Sequence, residues 1–593
     1  MDRVLTPKPA GAFVLVSLFL AACGGGGGDG GGTTPPPPSG NITVSGTVTF
    51  DRPTYTANNT LNFANPERLP VRGATVELLR ASDQSILATT TTDGTTGNYS
   101  ASIANTSFIV RVKAQLARAG AGGYDFEVRN NTSANALYTL DSSTVTPSNS
   151  SPRVDLNAPT GWVNGSYVNT RAAAPFAILH MLWEAKLLLQ AAEPGLTLPA
   201  LDVYWSVLNN SGDCASSEGR PDPTTGAIGT TSYVSATIPA SGGCPATPPG
   251  IYVLGEANGG FDDDPDEFDS SVIAHELGHY FQDAFSRDES MGGPHRLDTR
   301  HDLRLAFSEG WGNAFQGFVL DNPLYRDTFG ATGSSGFYFD MENNSAPYSV
   351  ASGFYAEAAI HEFLWDVYDA AGESGDQISL GFGAIHAVMR QDMVSTDAVT
   401  SIFSFATGLE SRNPAQQAAI RSRLTAEGIN GTGDFAVGQT LPGHTDLVPL
   451  FVPVTLGVPV QAVSTNRFAD SNETFYQSYN RLGSRRYFKI DLPPPGGGLR
   501  ITAQGPAADP VTGAGSDPDF FLYRGGVDQC TNYASSCSGI DDSVGTGLEE
   551  ASFVGLPAGT YVLEVAECSY LGSFCRTPVF GTNTVITVTV TPQ

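Results

Sequence analysis

The sequence predicts a multidomain protein in which an α+β domain over residues 156–445, largely helical in its second half, is flanked by two all-β sandwiches over 42–155 and 446–593. Three observations predict it. The 593 residues supply material for three or four domains with real cores. Both flanking regions alternate apolar and polar residues between turn signals, the period of half-buried strands. The middle region carries apolar stripes at helical spacing, with no Pro from Ser270 to Ser286.

Residues 1–8 are a short charged start, and residues 11–20 are apolar but too few to span a membrane. That order is an export signal, and Leu20-Ala21-Ala22-Cys23 ends it. These four residues resemble the bacterial lipobox. The resemblance implies that Cys23 is lipidated and that the chain sits in the cell envelope, at the outer membrane or cell surface, or is released to the exterior. No later stretch is long and apolar enough to be transmembrane, so contact with the membrane is expected through the lipid alone. Residues 24–41 are a linker, flexible in its glycines and stiff in its prolines. The net charge of −29, from 60 acidic and 31 basic residues without a basic block, excludes nucleic acid as an expected partner.

Beyond Cys23, the cysteines fall into local couples: Cys214 with Cys244, Cys530 with Cys537, and Cys568 with Cys575. In an exported chain such couples read as disulfides, and no C-x-x-C spacing supports zinc binding by the thiols.

In the first β region Val44, Val48 and Phe50 alternate with Ser45, Thr47 and Thr49. Residues 69–79, the turn Asp93-Gly94, and residues 97–100 and 108–112 follow. This order resembles the carboxypeptidase regulatory-like β-sandwich, which implies a spacer or support role. Residues 128–155, rich in Asn, Ser and Thr, read as exposed connection.

The central region opens with an apolar helix over 172–192 that carries His180, read as a core or supporting residue. Residues 201–207 and 250–255 are strand-like. The acidic run 262–269 is either a helix start that favours the positive end of the dipole or a calcium-binding loop. It lacks EF-hand spacing, which favours the helix start.

Residues 271–282 then contain His275-Glu276-Leu277-Gly278-His279. On a helix the two imidazoles lie one turn apart on one face and can share a metal ion, with Glu276 beside a water that the metal activates. In residues 305–318, Phe307, Trp311, Ala314, Phe315 and Phe318 make a helical apolar stripe, while Glu309 and Asn313 lie four apart on another face. A catalytic zinc usually takes three protein ligands. Glu309 is the candidate third, with Asp298 or Asp302 in reserve. His295 and His301 are spare polar groups in the loop between. Residues 353–368 read as a further helix bearing Tyr355 and His361.

The H-E-x-x-H segment followed by Ser308-Glu309-Gly310-Trp311-Gly312-Asn313 resembles the gluzincin, or thermolysin-like, zinc metallopeptidases. The resemblance implies a zincin-like domain that holds one Zn2+ ion on His275, His279 and Glu309. It implies that Glu276 is the general base and that Tyr355 or His361 stabilises the oxyanion. Asn313 stands where the thermolysin branch has an Asp that braces a ligand His. Residues 250–255 are the expected edge strand that pairs with an extended peptide or protein substrate. Metzincins would need a third His where Phe285 stands. An aminopeptidase on the same site would need a G-x-M-E-N segment, which the chain lacks, so an endopeptidase is favoured. The reading from another class is a non-catalytic surface lipoprotein with a structural metal.

In the last region, residues 486–492, 499–503, 517–523 and 556–565 are successive strands. They resemble the bacterial pre-peptidase C-terminal domain. That implies a β-sandwich attached to a secreted peptidase, often removed or used for surface contact.

Overall fold

The computed structural model describes residues 40–214, 220–257, 263–330, 333–343, 346, 351–370, 377–468, 479–506, 516–530, 547–567 and 583–593. Cys23, Cys537, Cys568 and Cys575 lie outside these residues. The Cys214–Cys244 disulfide is formed.

The first β region supplies β1 (Asn41–Tyr55), β2 (Leu61–Pro70), β3 (Ala74–Arg80), β4 (Ile86–Thr91), β5 (Asn98–Ala104), β6 (Phe108–Arg118) and β7 (Tyr124–Asn130). Short strands follow: β8 (Ala136–Leu137), β9 (Thr139–Asp141), β10 (Leu156–Ala158), β11 (Trp162–Val163) and β12 (Ser166–Tyr167). Residues 128–155 are therefore not simply connection, since β8 and β9 pair with β7 and β6. β1 buries Ile42, Val44, Val48 and Phe50, the alternation read in the sequence, and pairs with β2, β5 and β10.

The expected boundary at residue 155 is crossed by a sheet. β7 pairs in parallel with β13 (Leu201–Trp205), setting Val128 beside Val203. The helix α1 (Ala174–Ala192) makes the crossover and packs on β6 and β7. β13 pairs with β15 (Gly250–Val253), and β14 (Ser232–Val234) lies outside β15. Among the described residues the sheet has nine strands, with the path β14-β15-β13-β7-β6-β3-β4. Phe126, Val128, Val203 and Ile251 are buried in one apolar cluster, so the two regions share a core and neither can bury its own face alone.

Helix makes up 22 % of the described residues, so a largely helical second half of the central region is not shown; apart from α1, most of it lies between residues 270 and 426. The elements are α2 (Ser270–Phe285), α3 (Leu303–Leu320), the hairpin β16 (Leu324–Phe329) with β17 (Ser335–Asp340), and α4 (Glu357–Tyr368). Then α5 (Gly381–Ala387) runs through a π-helical turn (Val388–Asp392) into α6 (Met393–Ser395), followed by α7 (Ile402–Arg412) and α8 (Gln417–Ala426). α3 is enclosed on every side from Leu303 to Phe318, a central helix and not an amphipathic surface one.

The last region holds β18 (Phe451–Val454), β19 (Val460–Thr465), β20 (Arg485–Gln504), β21 (Pro518–Arg524), β22 (Val527–Asp528), β23 (Leu548–Glu567) and β24 (Asn583–Pro592). The long strands β20 and β23 pair along their length with register breaks near Leu492–Gly496 and Gly497–Leu499. This region has its own core, including Phe488, Ile490, Phe520, Tyr561 and Val588. It meets the start of α3 through polar contacts. Tyr487 Oη donates to Asp302 Oδ2 at 2.6 Å, and the buried Glu564 accepts from Arg304 at 2.8 Å and from Arg485.

Candidate metal centre

Helical spacing places His275 and His279 one turn apart on α2, and α3 crosses that helix at two glycines. A Cβ on Gly312 would come within 2.7 Å of the His275 ring, and one on Gly278 within 3.0 Å of Phe315. Trp311 Nε1 donates to Gly278 O at 2.8 Å and ties the crossing. This close approach brings Glu309 Oε2 to 3.3 Å from His275 Nε2 and 3.5 Å from His279 Nε2. The two Nε2 atoms are 3.0 Å apart. Ligand atoms ~2.0–2.1 Å from a tetrahedral ion lie ~3.3 Å from one another. The trio therefore has the size and the N,N,O chemistry that fit zinc.

The remaining ring nitrogens set the tautomers. Asn313 Nδ2 donates to Glu357 Oε2 at 3.2 Å, so its Oδ1 accepts from His275 Nδ1 at 3.0 Å. Ser308 Oγ donates to Asp288 Oδ2 at 3.1 Å and is left to accept from His279 Nδ1 at 3.3 Å. Both imidazoles thus turn an Nε2 lone pair toward the same point. Asn313 occupies the bracing position expected of it, and Glu357 supplies the negative charge that Asn lacks. Glu357 is the first residue of α4, and its sequence context holds no signal for that role.

Glu276 lines a cleft of about 730 Å³ together with both imidazoles and Glu309. Its Oε2 accepts from Tyr233 N at 2.7 Å. Burial raises its carboxyl above the ordinary range, and His275 and His279 oppose that rise. Tyr233 belongs to β14, and this strand, not the expected 250–255, borders the cleft. β15 is an interior strand between β13 and β14, so residues 250–255 are not the edge. The edge beside the cleft is β14, whose three residues are too few to show a period.

Neither proposed oxyanion residue lines the cleft. Tyr355 packs against Phe354 and under the Arg300 guanidinium. His361 is 1 % exposed and stacked on Phe339 at 4.8 Å, and burial pulls it down to about 3. Both lie where apolar packing of α4 and its lead-in directs them. His295, read only as a spare group, does face the cleft. Its Nε2 is 3.3 Å from Glu309 Oε2 and its Nδ1 is 3.2 Å from Glu357 Oε2. Burial works against its imidazolium, but those two carboxylates outweigh it and raise it to about 10. Burial alone would raise Glu309, yet the neighbouring histidines, His295 first, hold it well below the carboxylate range.

The reserve ligands are also elsewhere. Asp298 pairs with Arg296 at the surface, and Asp302 caps α3 by accepting from Arg304 N at 3.1 Å. His180 sits in the core beside Phe50 and Arg72.

The acidic run leads into α2 with Asp269 at its N-cap, but its side chains bond elsewhere. Glu267 pairs with the buried Arg171, and Asp269 accepts from the Thr328 backbone and hydroxyl at 2.9 and 2.8 Å in place of capping α2. Asp264 and Asp266 meet Asp327 of β16, with one carboxylate oxygen from each within 4.8 Å of the others. Oxygen ligands alone fit a hard cation such as calcium better than zinc.

No protein-family model matches the chain, and no curated protein does. Among solved structures, the chain is similar to Aeromonas hydrophila PliG, a periplasmic lysozyme inhibitor of g-type lysozyme. The identity is 12 % over 24 % of this chain and 96 % of that one, with a TM-score of 0.13. A cycloisomaltooligosaccharide glucanotransferase of Paenibacillus sp. is matched at 9 % identity over 92 % of this chain and 72 % of that one, with a TM-score of 0.11. At these TM-scores neither likeness carries an argument about fold or activity.

Proposed function

We propose that the chain is an extracytoplasmic zinc metalloendopeptidase of the gluzincin kind, with residues 156–445 as its zincin-like domain and Cys23 as its lipid anchor. The observation that carries this reading is the convergence of His275 Nε2, His279 Nε2 and Glu309 Oε2 within 3.0–3.5 Å of one another, beside a buried glutamate on an open cleft. A zinc ion held by His275, His279 and Glu309 would supply Lewis-acid chemistry toward a water.

The protein's own groups do the rest. Glu276 takes the proton of the attacking water and delivers it to the leaving amine. The Tyr233 amide fixes the direction of that carboxylate. His295, protonated between Glu309 and Glu357, donates to the developing oxyanion in place of Tyr355 or His361. An extended peptide adds to the edge strand β14. The Asp264, Asp266 and Asp327 oxygens are assigned to calcium in the same reading.

The test is Glu276→Gln in the full chain. The variant keeps its zinc and loses casein hydrolysis by ~10²–10⁴-fold, the range of a positioned acid–base group. Cleavage by the variant at the wild-type rate would remove Glu276 from the mechanism. Wild-type protein that binds zinc without chelator-sensitive hydrolysis would favour the non-catalytic lipoprotein.

A further inference from the structure

His295 stands on a loop, and its side chain meets Glu309 of α3 and Glu357 of α4. The backbone before it is held by three consecutive residues of the last region. Asn480 Nδ2 donates to Gly292 O and to Pro294 O, both at 3.0 Å. Arg481 Nη1 donates to Pro294 O at 3.0 Å and also meets His301 Nδ1 at 3.2 Å. Tyr479 Oη donates to Gly292 O at 3.3 Å. The fit leaves no spare room, because a Cβ on Gly293 would fall 2.0 Å from Tyr479 Oη.

The clamp is itself rigidly mounted. Asn480 and Arg481 are 0 % and 1 % exposed. Asp302 N donates to Asn480 O at 2.8 Å and Leu482 N donates to Arg300 O at 2.9 Å, which anchors the segment to the chain that enters α3. One end of this arrangement therefore leads to Glu309 on α3 and the other to His295.

We infer that Tyr479, Asn480 and Arg481 are positioning residues for the reaction, holding the Gly292–Pro294 backbone so that His295 stands beside Glu309. The last β region then completes the site, which is the opposite of a removable appendage. The inference rests on the metallopeptidase reading for its catalytic consequence, while the clamp itself can be measured without turnover.

Asn480→Asp in the full chain is the sharpest probe. It keeps an acceptor for Arg481 Nη1, which bonds Asn480 Oδ1 at 2.8 Å, but removes both donors to the loop. Displacing a catalytic group by about 1 Å costs ~10²-fold in rate. Asn480→Asp is accordingly expected to lower kcat by ~10–100-fold, with KM and zinc content nearly unchanged. Added to His295→Ala it lowers kcat no further, since both changes act through one imidazole. Amide hydrogen exchange is the second readout: residues 288–296 exchange faster in Asn480→Asp, while α2 and α3 keep their wild-type rates. Tyr479→Phe, which loses one long bond, shows the same pattern more weakly. Unchanged exchange over 288–296 overturns the clamp whether or not the protein cleaves anything. Fully additive losses in the double variant overturn its action through His295. A wild-type protein without hydrolysis sinks the peptidase reading alone and leaves the exchange result to decide the clamp.

Discussion

Two clusters of ligating side chains flank the start of α2, and their charge is balanced in different ways. The first sets the carboxylates Glu309 and Glu357 among the imidazoles of His275, His279 and His295. The second sets Asp264, Asp266 and Asp327 together, and the largest influences on Asp266 after burial are the other carboxylates. An Oδ1 atom of each of the three is buried without a hydrogen-bond partner. In the first cluster imidazoles face the carboxylates, and in the second carboxylates face one another. A low-dielectric pocket tolerates the first arrangement with or without a cation, whereas the second is strained unless protons or a hard cation enter it. The difference teaches that proximity of ligand atoms alone does not define a metal's identity. The companions of those atoms do.

The largest effect that would sharpen the contrast is loss of zinc. Glu309→Ala removes the single carboxylate of the mixed trio and is expected to weaken zinc binding by more than the ~10–100-fold typical of a supporting residue. Asp327→Asn, in the other cluster, leaves zinc titration unchanged. Equal losses in both variants would mean that one ion bridges the two clusters and would break the comparison.

A smaller effect is expected at Glu357, which orients His275 through Asn313. Glu357→Gln should loosen zinc by ~10–100-fold with the fold intact. Unchanged zinc affinity in that variant would mean that Asn313 braces His275 without the charge behind it.

The smallest effect is a pH slope. Burial raises Asp264 to about 6 and Asp327 to about 7, against ~3.9 in an unfolded chain. The native state therefore holds more protons than the unfolded state between those values, and stability falls as pH rises from about 4 to about 7. In the presence of EGTA, the thermal midpoint should drop by a few degrees more in wild type than in Asp327→Asn across that window. Calcium should restore it in wild type, because a cation bound only by the native state stabilises it by mass action. Parallel midpoints for wild type and variant at every pH, with and without calcium, would mean that the acidic cluster neither holds extra protons nor binds calcium.

The zinc-binding candidates were legible because they sit on helices, where spacing converts directly into a shared face: His275, His279 and Glu309 converge as the pattern requires. Periodicity also showed that His361 lies on a helix. It could not show that the Phe339 side, and not the cleft, receives that face. His295 was visible only as a polar loop residue, because the backbone that positions it is held by residues almost two hundred positions later. β14 is three residues long, too short to show a period, so the sequence points to its longer neighbour as the edge strand. The end of the first β region was misplaced for a related reason. The alternation of β7 is the same whether its neighbour lies in its own region or beyond α1.

That pairing of β7 with β13 has a consequence for how the molecule is made. Tyr124–Asn130 leaves the ribosome roughly 70 residues before its parallel partner, and it stays one-sided until α1 and Leu201–Trp205 have followed. The same pairing forbids a cut at the apparent border. A fragment starting at residue 156 would leave Val203 without Val128 beside it, and one ending there would expose Phe126 and Val128 to water. A piece that keeps both this pairing and that of β1 with β10 must include the chain from Asn41 onward.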